Sequence, residues 1–313
     1  MAPKIKNLIT RALPPETVAF LKKTRSALKK MRQSQTQPKI TKERIINDLD
    51  RLGVKHGDVV FAHSSLRSVG FVEGGAETVI DALMDAVGRE GTLAMPCFSI
   101  VGSMQDSLDK GAVFDVAKTP STVGAISEAF RSRGGVARSL HPTHSVCACG
   151  PKAEFIADGH EKAGTIFGPE TPLYKIMEIN GWILGLGVDF GPVTFVHVIE
   201  DTLKNFPLKI YSDKIYNAKI IGYDKKIKHI KLRAHDQETA KSRIDKNSGI
   251  WIRNFLKNHL KEKGMLKTGR VGMAECWMVK SADLFNEQKK LLEKGITVYM
   301  TEREYEEKQK KND

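Results

Sequence analysis

The sequence lacks the features that mark zinc-binding, membrane-spanning and secreted proteins. Its 313 residues include only four cysteines, Cys97, Cys147, Cys149 and Cys276, whose spacing is not that of a zinc site. No apolar run approaches the roughly 18 residues that span a bilayer, and the basic N-terminus lacks the apolar segment of a secretory signal. We therefore expect no metal, and a reducing cytoplasmic location in which the thiols stay free.

Three nucleotide-binding and hydrolase signatures are also missing. The chain has no Gly-x-x-x-x-Gly-Lys-Ser/Thr loop and no Gly-x-Gly-x-x-Gly fingerprint, which argues against a phosphate-binding loop ATPase and a dinucleotide-binding fold. It has no Gly-x-Ser-x-Gly turn of the α/β hydrolases. Aromatic residues make up 7% and rarely interleave with basic ones, so no stacking surface for nucleic acid is expected.

Positive charge is abundant and unevenly placed. The formal net charge is +13, and residues 1–36 hold nine Lys or Arg against one acid, Glu16. Residues 14–31 have apolar positions at roughly helical spacing, which predicts a basic amphipathic helix, and residues 33–38 are typical of a linker. This extension is either a solvated tail or a surface for an anionic partner such as the inner membrane.

The rest of the chain alternates between predicted strands and helices, which indicates a layered α/β fold with a mixed sheet. The section at 208–233 is instead expected to be an antiparallel β-meander. Strands are predicted at 59–62, 92–95, 145–148, 182–188, 273–279 and 296–300, and helices at 41–52, 76–87, 121–133, 152–159, 172–179, 250–263 and 281–294.

One short segment combines three groups that can support catalysis. Thr194, His197 and Glu200 are spaced three residues apart on a predicted helix, where such neighbours touch. An imidazole held by a carboxylate is a ready general base near neutral pH. The segment follows the apolar run 182–188, and catalytic groups often lie at such strand ends. The alternative is a surface helix with an ordinary His–Glu pair.

A second segment has the chemistry of a phosphate site. The loop His63-Ser-Ser-Leu-Arg-Ser-Val-Gly70 places hydroxyls and the Arg67 guanidinium after the first strand. It could equally be an ordinary polar loop between a strand and a helix. Further along, His141 and His144 flank Pro142 and could line a pocket; no third ligand is spaced with them for a metal.

Together these segments resemble the aminoglycoside 3-N-acetyltransferase family over about residues 41–300. Each motif alone is weak, and the ordered set is specific. The motifs are His63–Gly70 with Glu73–Gly75, Gly91–Pro96, Arg138–Ser145, Gly150–Ala153, Phe167–Pro172, Thr194–Glu200 and Gly269–Ala274.

The resemblance implies a three-layer α/β/α sandwich and an enzyme that moves an acetyl, or another short acyl, group from acetyl-CoA to an amine. His197 and Glu200 then match the family's catalytic pair, Thr194 its threonine near the thioester, and His141 its active-site histidine. The family's coenzyme A loop corresponds to Ser64, Ser65, Leu66, Arg67 and Ser68. The expected organisation is a basic extension and linker at 1–38, an acetyltransferase domain at 39–301 and a charged C-terminal tail at 302–313 that forms a frayed helix.

The sequence departs from the drug-modifying members in the motif before the histidine. They commonly carry Asp-x-Asn-Thr, whereas this chain reads Gly191-Pro-Val-Thr194, with Asp189 displaced by two positions and retained as a candidate substrate-binding residue. A basic protein is also a poor electrostatic match for a polycationic aminoglycoside. The segment Thr194-Phe-x-His197 together with the basic extension resembles relatives associated with surface-polysaccharide biosynthesis. This resemblance implies, as an alternative acceptor, an amino sugar on an anionic nucleotide or lipid diphosphate carrier.

The mechanism expected from these residues is direct acyl transfer. His197 removes a proton from the amine, Glu200 stabilises the imidazolium, and Thr194 or a nearby amide stabilises the oxyanion. Two other classes stay open: a Ser/His hydrolase using Ser64 or Ser65, and a basic protein that binds membranes or nucleic acid without catalysis.

Overall fold

The computed structural model describes residues 17, 38–111, 113–243 and 249–310. The predicted basic helix therefore lies outside the described residues, except for Thr17. The helices are α1 Lys42–Leu52, α2 Leu66–Val69, α3 Ala76–Val87, α4 Met104–Asp109, α5 Ala125–Arg131, α6 Ala153–Ala157, α7 Pro172–Glu178, α8 Val198–Thr202, α9 Gln237–Ala240, α10 Ile250–Glu262, α11 Ser281–Glu293 and α12 Glu302–Gln309. The strands are β1 Val59–Ser64, β2 Thr92–Pro96, β3 Phe114–Asp115, β4 Ala137–Arg138, β5 Val146–Cys149, β6 Trp182–Leu186, β7 Tyr211–Ile221, β8 Ile227–His235, β9 Lys267–Val271 and β10 Ala274–Lys280.

Seven strands form one mixed sheet in the order β4-β5-β2-β1-β6-β10-β9. The central strand β1 runs parallel to β2 and β6, so that Phe61 pairs with Ala94 on one side and with Ile183 on the other. The outer pairings are antiparallel. Parallel strands buried on both faces have continuous apolar sequences, and Val60-Phe-Ala62 fits this rule.

Each face of this sheet is covered by helices, which confirms the three-layer α/β/α prediction. Phe61 faces a core that includes Leu173 of α7 and Leu284 of α11. Its neighbour Val60 faces the opposite core, which contains Leu49 of α1 and α3 residues. Burying each large apolar side chain contributes about 1.5–3 kcal/mol.

Helix α1 shows how local sequence signals set an element. The Thr41 hydroxyl accepts a hydrogen bond from the Arg44 amide, and Gly53 ends the helix with φ of 107°. A left-handed φ of this kind favours glycine. Ile45 and Leu49 fall on the buried face. The helix predicted at 41–52 is thereby confirmed.

Three C-terminal and insertion elements differ from the predictions. The expected meander is one long hairpin, β7–β8, whose strand β7 also pairs in parallel with β3. No strand occurs at 296–300; Val298 and Tyr299 are buried because this loop covers the core, which explains its apolar content. Strand β9 was missed because its positions are mostly polar or exposed at the sheet edge.

The charged helix predicted for the C-terminal segment is present at Glu302–Gln309. A capping box at Thr301 and Glu304 starts α12, and the Tyr305 ring lies 5.1 Å from the Phe255 ring of α10. Capping and aromatic packing stabilise a short charged helix. In the described part of the chain, no helix is long and apolar enough to cross a membrane.

Candidate active site

The hydroxyl-rich loop lies where β1 leaves the sheet. Ser65 caps the single-turn helix α2, since its hydroxyl accepts hydrogen bonds from the Ser68 amide (3.4 Å) and the Ser68 hydroxyl (2.9 Å). Gly74 and Gly75, with φ of 77° and 68°, then turn the chain into α3. The loop bends around an open groove rather than closing on itself.

This groove, whose volume is about 910 Å³, is lined by the loop predicted to bind coenzyme A. It is lined by Ser64, Ser65, Leu66 and Arg67 on one side and by 123–125 on the other. Arg67 is exposed, and no hydrogen bond or ion pair ties it to any described residue. A guanidinium at a strand end, with adjacent hydroxyls, suits the phosphates of the cosubstrate. Ser68 does not line the groove; it supports the loop through Ser65.

The predicted His–Glu contact is present. Nδ1 of His197 lies 2.6 Å from Oε1 of Glu200, and both side chains are buried. The Tyr299 hydroxyl donates to the same carboxylate oxygen at 2.8 Å. Since the carboxylate accepts, the imidazole proton resides on Nδ1 and Nε2 is the basic nitrogen. The local structure differs from one regular helix: Thr194–His197 is a 3₁₀ turn that leads into α8.

Thr194 does not hydrogen-bond to His197, although both line one cavity. Its hydroxyl oxygen is buried and has no hydrogen-bond partner in the described chain. A buried hydroxyl without a partner is costly, so a ligand in the cavity would relieve that cost. This position fits the predicted role near the thioester.

The cavity, of about 220 Å³, adjoins the groove because Ser64 and Val123 line both. Four imidazoles face it, those of His63, His144, His197 and His235. The Phe167 ring stacks on His197 with centroids 5.5 Å apart and supplies an apolar wall. A ligand in the cavity would thus lie next to a ligand in the groove.

Burial keeps the imidazoles around His197 uncharged. It lowers the pKa of His63 to about 4 and that of His141 to about 3. Burial, reinforced by neighbouring positive groups, holds the pKa of His144 and of His235 well below the ordinary 6.5. At neutral pH these rings are therefore neutral hydrogen-bonding groups.

Two predicted substrate-binding residues lie away from the cavity surface. His141 is buried behind His144, where its Nδ1 accepts the backbone amides of Thr143 (3.3 Å) and His144 (3.0 Å). Asp189 is mostly exposed; its carboxylate accepts the Gly191 amide and lies 3.3 Å from Arg253. The geometry gives both residues roles in shaping loops, and their predicted contact with substrate is untested.

Sequence reasoning missed two residues of the site, Tyr299 and His235. Tyr299 was assigned to a strand, and it reaches Glu200 from a loop 99 positions later. His235 is a lone histidine at the end of the polar strand β8, and no motif surrounds it. Among the described residues, no group of three His, Cys, Asp or Glu side chains could hold a metal ion.

Comparison with known proteins identifies the family. The family model for aminoglycoside 3-N-acetyltransferase matches residues 61–293. Aminoglycoside N(3)-acetyltransferase IX of Micromonospora chalcea is 27% identical over 267 residues, which cover 79% of this chain and 91% of that protein. The Bacillus subtilis protein YokD, a prophage-derived aminoglycoside N(3')-acetyltransferase-like protein, is 37% identical over 191 residues, covering 55% and 69% of the two chains.

A solved structure agrees with this assignment. AAC-VIa bound to sisomicin superposes with a TM-score of 0.71 at 26% identity, covering 82% of this chain and 98% of that one. The chain belongs to the aminoglycoside 3-N-acetyltransferase family. It is accordingly an acetyl-CoA-dependent N-acetyltransferase, which transfers an acyl group from coenzyme A to an amine.

Proposed function

We propose that the enzyme acetylates an amine of an amino sugar or aminoglycoside, with His197 as the general base. The observation that supports this most strongly is the arrangement of His197, Glu200 and Tyr299 on a cavity that shares Ser64 with the coenzyme A groove. A protonated amine is not a nucleophile, so a base must take its proton before the acetyl carbon is attacked.

Each residue then has a role set by its position. Glu200 holds the His197 proton on Nδ1 and stabilises the imidazolium formed when Nε2 takes the amine proton. The Thr194 hydroxyl, without a partner in the described chain, is placed to donate to the acetyl oxygen as negative charge develops there. The acetyl thioester supplies an activated acyl group and a thiolate leaving group. Ser64, Ser65, Leu66 and Arg67 would hold its carrier in the groove.

The alternative of a Ser/His hydrolase has less support. Ser65 uses its hydroxyl to cap α2, and within the described ranges Ser64 makes no hydrogen bond to a histidine. A nucleophilic serine should lie within hydrogen-bond reach of its base. His197 instead has an open cavity before it, as general-base chemistry on a bound amine requires.

A screen of amines with acetyl-CoA, following release of free thiol, tests the proposed function. We expect acetyl transfer to at least one amino sugar or aminoglycoside, with the product acetylated on nitrogen by mass spectrometry. Thiol release at the same rate with no amine present, giving acetate, would instead support the hydrolase.

We also propose a peripheral association of residues 1–36 with an anionic membrane surface. The proposal is supported by nine Lys or Arg against one acid in that stretch, since each basic residue near an anionic bilayer contributes about 1 kcal/mol. Apart from Thr17 the segment lies outside the described residues, so its charge alone supports this role.

A further inference from the structure

His63 is a buried imidazole for which the proposed reaction has so far given no role. It is the penultimate residue of β1, it is 4% exposed, and it lines the cavity in front of His197, here called the acceptor cavity. Its Nε2 is buried and has no hydrogen-bond partner in the described part of the chain. Because an unpaired buried polar atom is costly, a ligand that pairs with this nitrogen would relieve that cost.

His63 differs from the other imidazoles of the acceptor cavity in its surroundings. The other three rings each have a polar side-chain partner within 2.9 Å, and they belong to His144, His197 and His235. The His63 ring instead meets the edge of the Phe61 ring, with centroids 5.1 Å apart. Burial lowers the pKa of His63 to about 4, so at neutral pH the ring is uncharged and carries one N–H. His63 is therefore a neutral group that can donate one hydrogen bond to a ligand.

Two neighbours place His63 where the proposed reaction needs the acetyl group. Ser64, the next residue, lines both the acceptor cavity and the groove, so a thioester that extends from the groove into the cavity passes beside His63. The Phe61 ring, which meets His63, also lies 6.3 Å from the Phe195 ring. Phe195 follows Thr194, whose hydroxyl oxygen is likewise buried without a partner among the described residues. The two unpaired polar atoms thus belong to neighbouring segments that line one cavity.

The proposed acyl transfer builds negative charge on one atom, the acetyl oxygen. After Nε2 of His197 has taken the ammonium proton, which then passes to solvent, the amine nitrogen bonds to the acetyl carbon and the C=O π pair moves onto the oxygen. The C=O bond re-forms as the C–S bond breaks and its electron pair leaves on the coenzyme A thiolate. A second proton from the nitrogen neutralises that thiolate, so the products are an amide and a free thiol. A neutral N–H can stabilise the charged oxygen without protonating it.

We propose that the His63 N–H donates a hydrogen bond to the acetyl oxygen and, together with the Thr194 hydroxyl, stabilises the oxyanion of the tetrahedral intermediate. This inference rests on the proposed function and adds a catalytic residue to it. His63 neither gains nor loses a proton in this role. The contrasting role, packing against Phe61 alone, needs no N–H.

Infrared spectroscopy of bound acetyl-CoA, labelled with carbon-13 at the carbonyl, tests this contact without any amine. In the full-length enzyme, His63→Phe should move the C=O stretching band to higher wavenumber, because the carbonyl loses a hydrogen-bond donor. His63→Gln, whose amide keeps an N–H, should move the band less. His160→Phe is the matched control and should leave the band unchanged. His160 is also buried, with an Nε2 that has no partner among the described residues, and it does not line the acceptor cavity.

Kinetics then measure whether the contact strengthens in the transition state. Thiol release from acetyl-CoA, with glucosamine and with sisomicin as the amine, gives kcat and KM. His63→Phe should lower kcat about 10²-fold, the usual cost of losing one oxyanion donor, with little change in KM for acetyl-CoA. His63→Gln should recover about tenfold of that loss, the scale of one hydrogen bond. Denaturant unfolding checks that each variant is folded, and His63→Leu replaces His63→Phe if the latter does not fold.

An unchanged C=O band in the folded His63→Phe enzyme would overturn the proposal, whatever the kinetics show. A shifted band with near-normal kcat would also overturn the catalytic role. So would equal effects of His160→Phe and His63→Phe, since the loss of any buried imidazole would then suffice. If neither amine releases thiol, that result counts against the proposed function, and the infrared band still decides whether His63 contacts the acetyl oxygen.

Discussion

At the scale of single residues, the proposed chemistry depends on which atoms around His197 carry protons. Glu200 accepts from Nδ1 of His197, and the Tyr299 hydroxyl donates to the same carboxylate oxygen, so that the proposed base is connected to a distant part of the chain. Three buried imidazoles whose pKa burial lowers, those of His63, His144 and His235, surround this pair and stay neutral at neutral pH.

His197→Ala should lower kcat for acetyl transfer by about 10²–10⁴-fold, which is the usual contribution of a positioned general base. Coenzyme A affinity, measured by calorimetry, should change little because His197 lines the acceptor cavity and not the groove. Near-normal turnover by a folded variant would remove His197 from the mechanism.

Tyr299→Phe should lower kcat about tenfold, equivalent to about 1.4 kcal/mol, because it removes one hydrogen bond from the Glu200 carboxylate. KM for the amine should move less, since the hydroxyl acts through Glu200. The control is Tyr305→Phe, a tyrosine whose ring packs on Phe255 at the surface of α10. Equal effects of the two substitutions would show that Tyr299 acts only through packing.

The residues of the site differ in how far the sequence could predict them. The three-residue spacing and a local turn bring His197 to Glu200, so that contact follows from the sequence. Tyr299 and His235 reach the cavity through the packing of distant segments, and neither has a local pattern that marks it. His141 belongs to a family motif and was therefore predicted to bind substrate. In the structure its Nδ1 instead accepts hydrogen bonds from the backbone amides of Thr143 and His144 in the turn that follows it.

At the scale of elements, the loop and helix α2 after β1 should control cosubstrate binding. Arg67→Ala should weaken coenzyme A binding by about 1.5–3 kcal/mol, the value of hydrogen bonds to a charged group, while leaving stability nearly unchanged because Arg67 is exposed. Arg89→Ala, which removes an exposed cation after α3, is the control. Unchanged affinity by calorimetry would refute the phosphate role of Arg67.

Asp201 joins three elements around the site. Its Oδ2 accepts hydrogen bonds from the Phe167 amide (2.8 Å) and the Tyr211 hydroxyl (2.7 Å), tying α8 to the 167 loop and to β7. Burial, which outweighs these hydrogen bonds, raises the pKa of Asp201 from 3.8 to about 6. A raised carboxyl pKa costs stability once the group ionises: the loss begins near pH 3.8, where the unfolded chain ionises, and is complete above about pH 6.

Asp201→Asn should therefore stabilise the protein above pH 6 by up to about 3 kcal/mol, since two pKa units correspond to roughly that free energy. The amide oxygen can still accept both hydrogen bonds. Denaturant unfolding at pH 4 and pH 8 measures the difference, which should be small at pH 4 and largest at pH 8. A pH-independent difference would contradict the assigned titration.

Helices and strands were predicted best where the sequence has both a periodic apolar face and residues that start or stop the element. The helices α1, α3, α10 and α11 each have such a face and a clear start or stop, and their predicted ends lie within a few residues of the observed ones. The loop at 296–300 has the apolar composition of a strand. Its apolar residues pack on the core without pairing to a strand, and this packing cannot be read from the local sequence. Edge strand β9 depends on hydrogen bonds to β10 more than on its own sequence.

At the scale of the whole molecule, the positive charge of the chain is distributed over two regions. Residues 1–36 hold much of it, and the exposed face of the β7–β8 hairpin holds more, at Lys219, Lys231 and Arg233. Within the described ranges these three make no ion pair with an acid. Such a surface favours anionic partners and gives binding that salt weakens.

The basic extension should anchor the enzyme to anionic membranes without taking part in the chemistry. A chain truncated to begin at Lys39 keeps every residue of the candidate site, and it keeps the core residue Ile40, which is buried and bridges to Val72. It should acetylate a soluble amine at the rate of the full chain.

The full chain should co-sediment with vesicles containing phosphatidylglycerol at low salt and be released at high salt, whereas the truncated chain should stay in solution. A full-length variant with Lys22, Lys23, Lys29 and Lys30 changed to Gln tests charge separately from length, and it should bind weakly. If the full and truncated chains bind equally, the hairpin cations and not residues 1–36 meet the membrane; if both fail to bind at low salt, the extension has another partner.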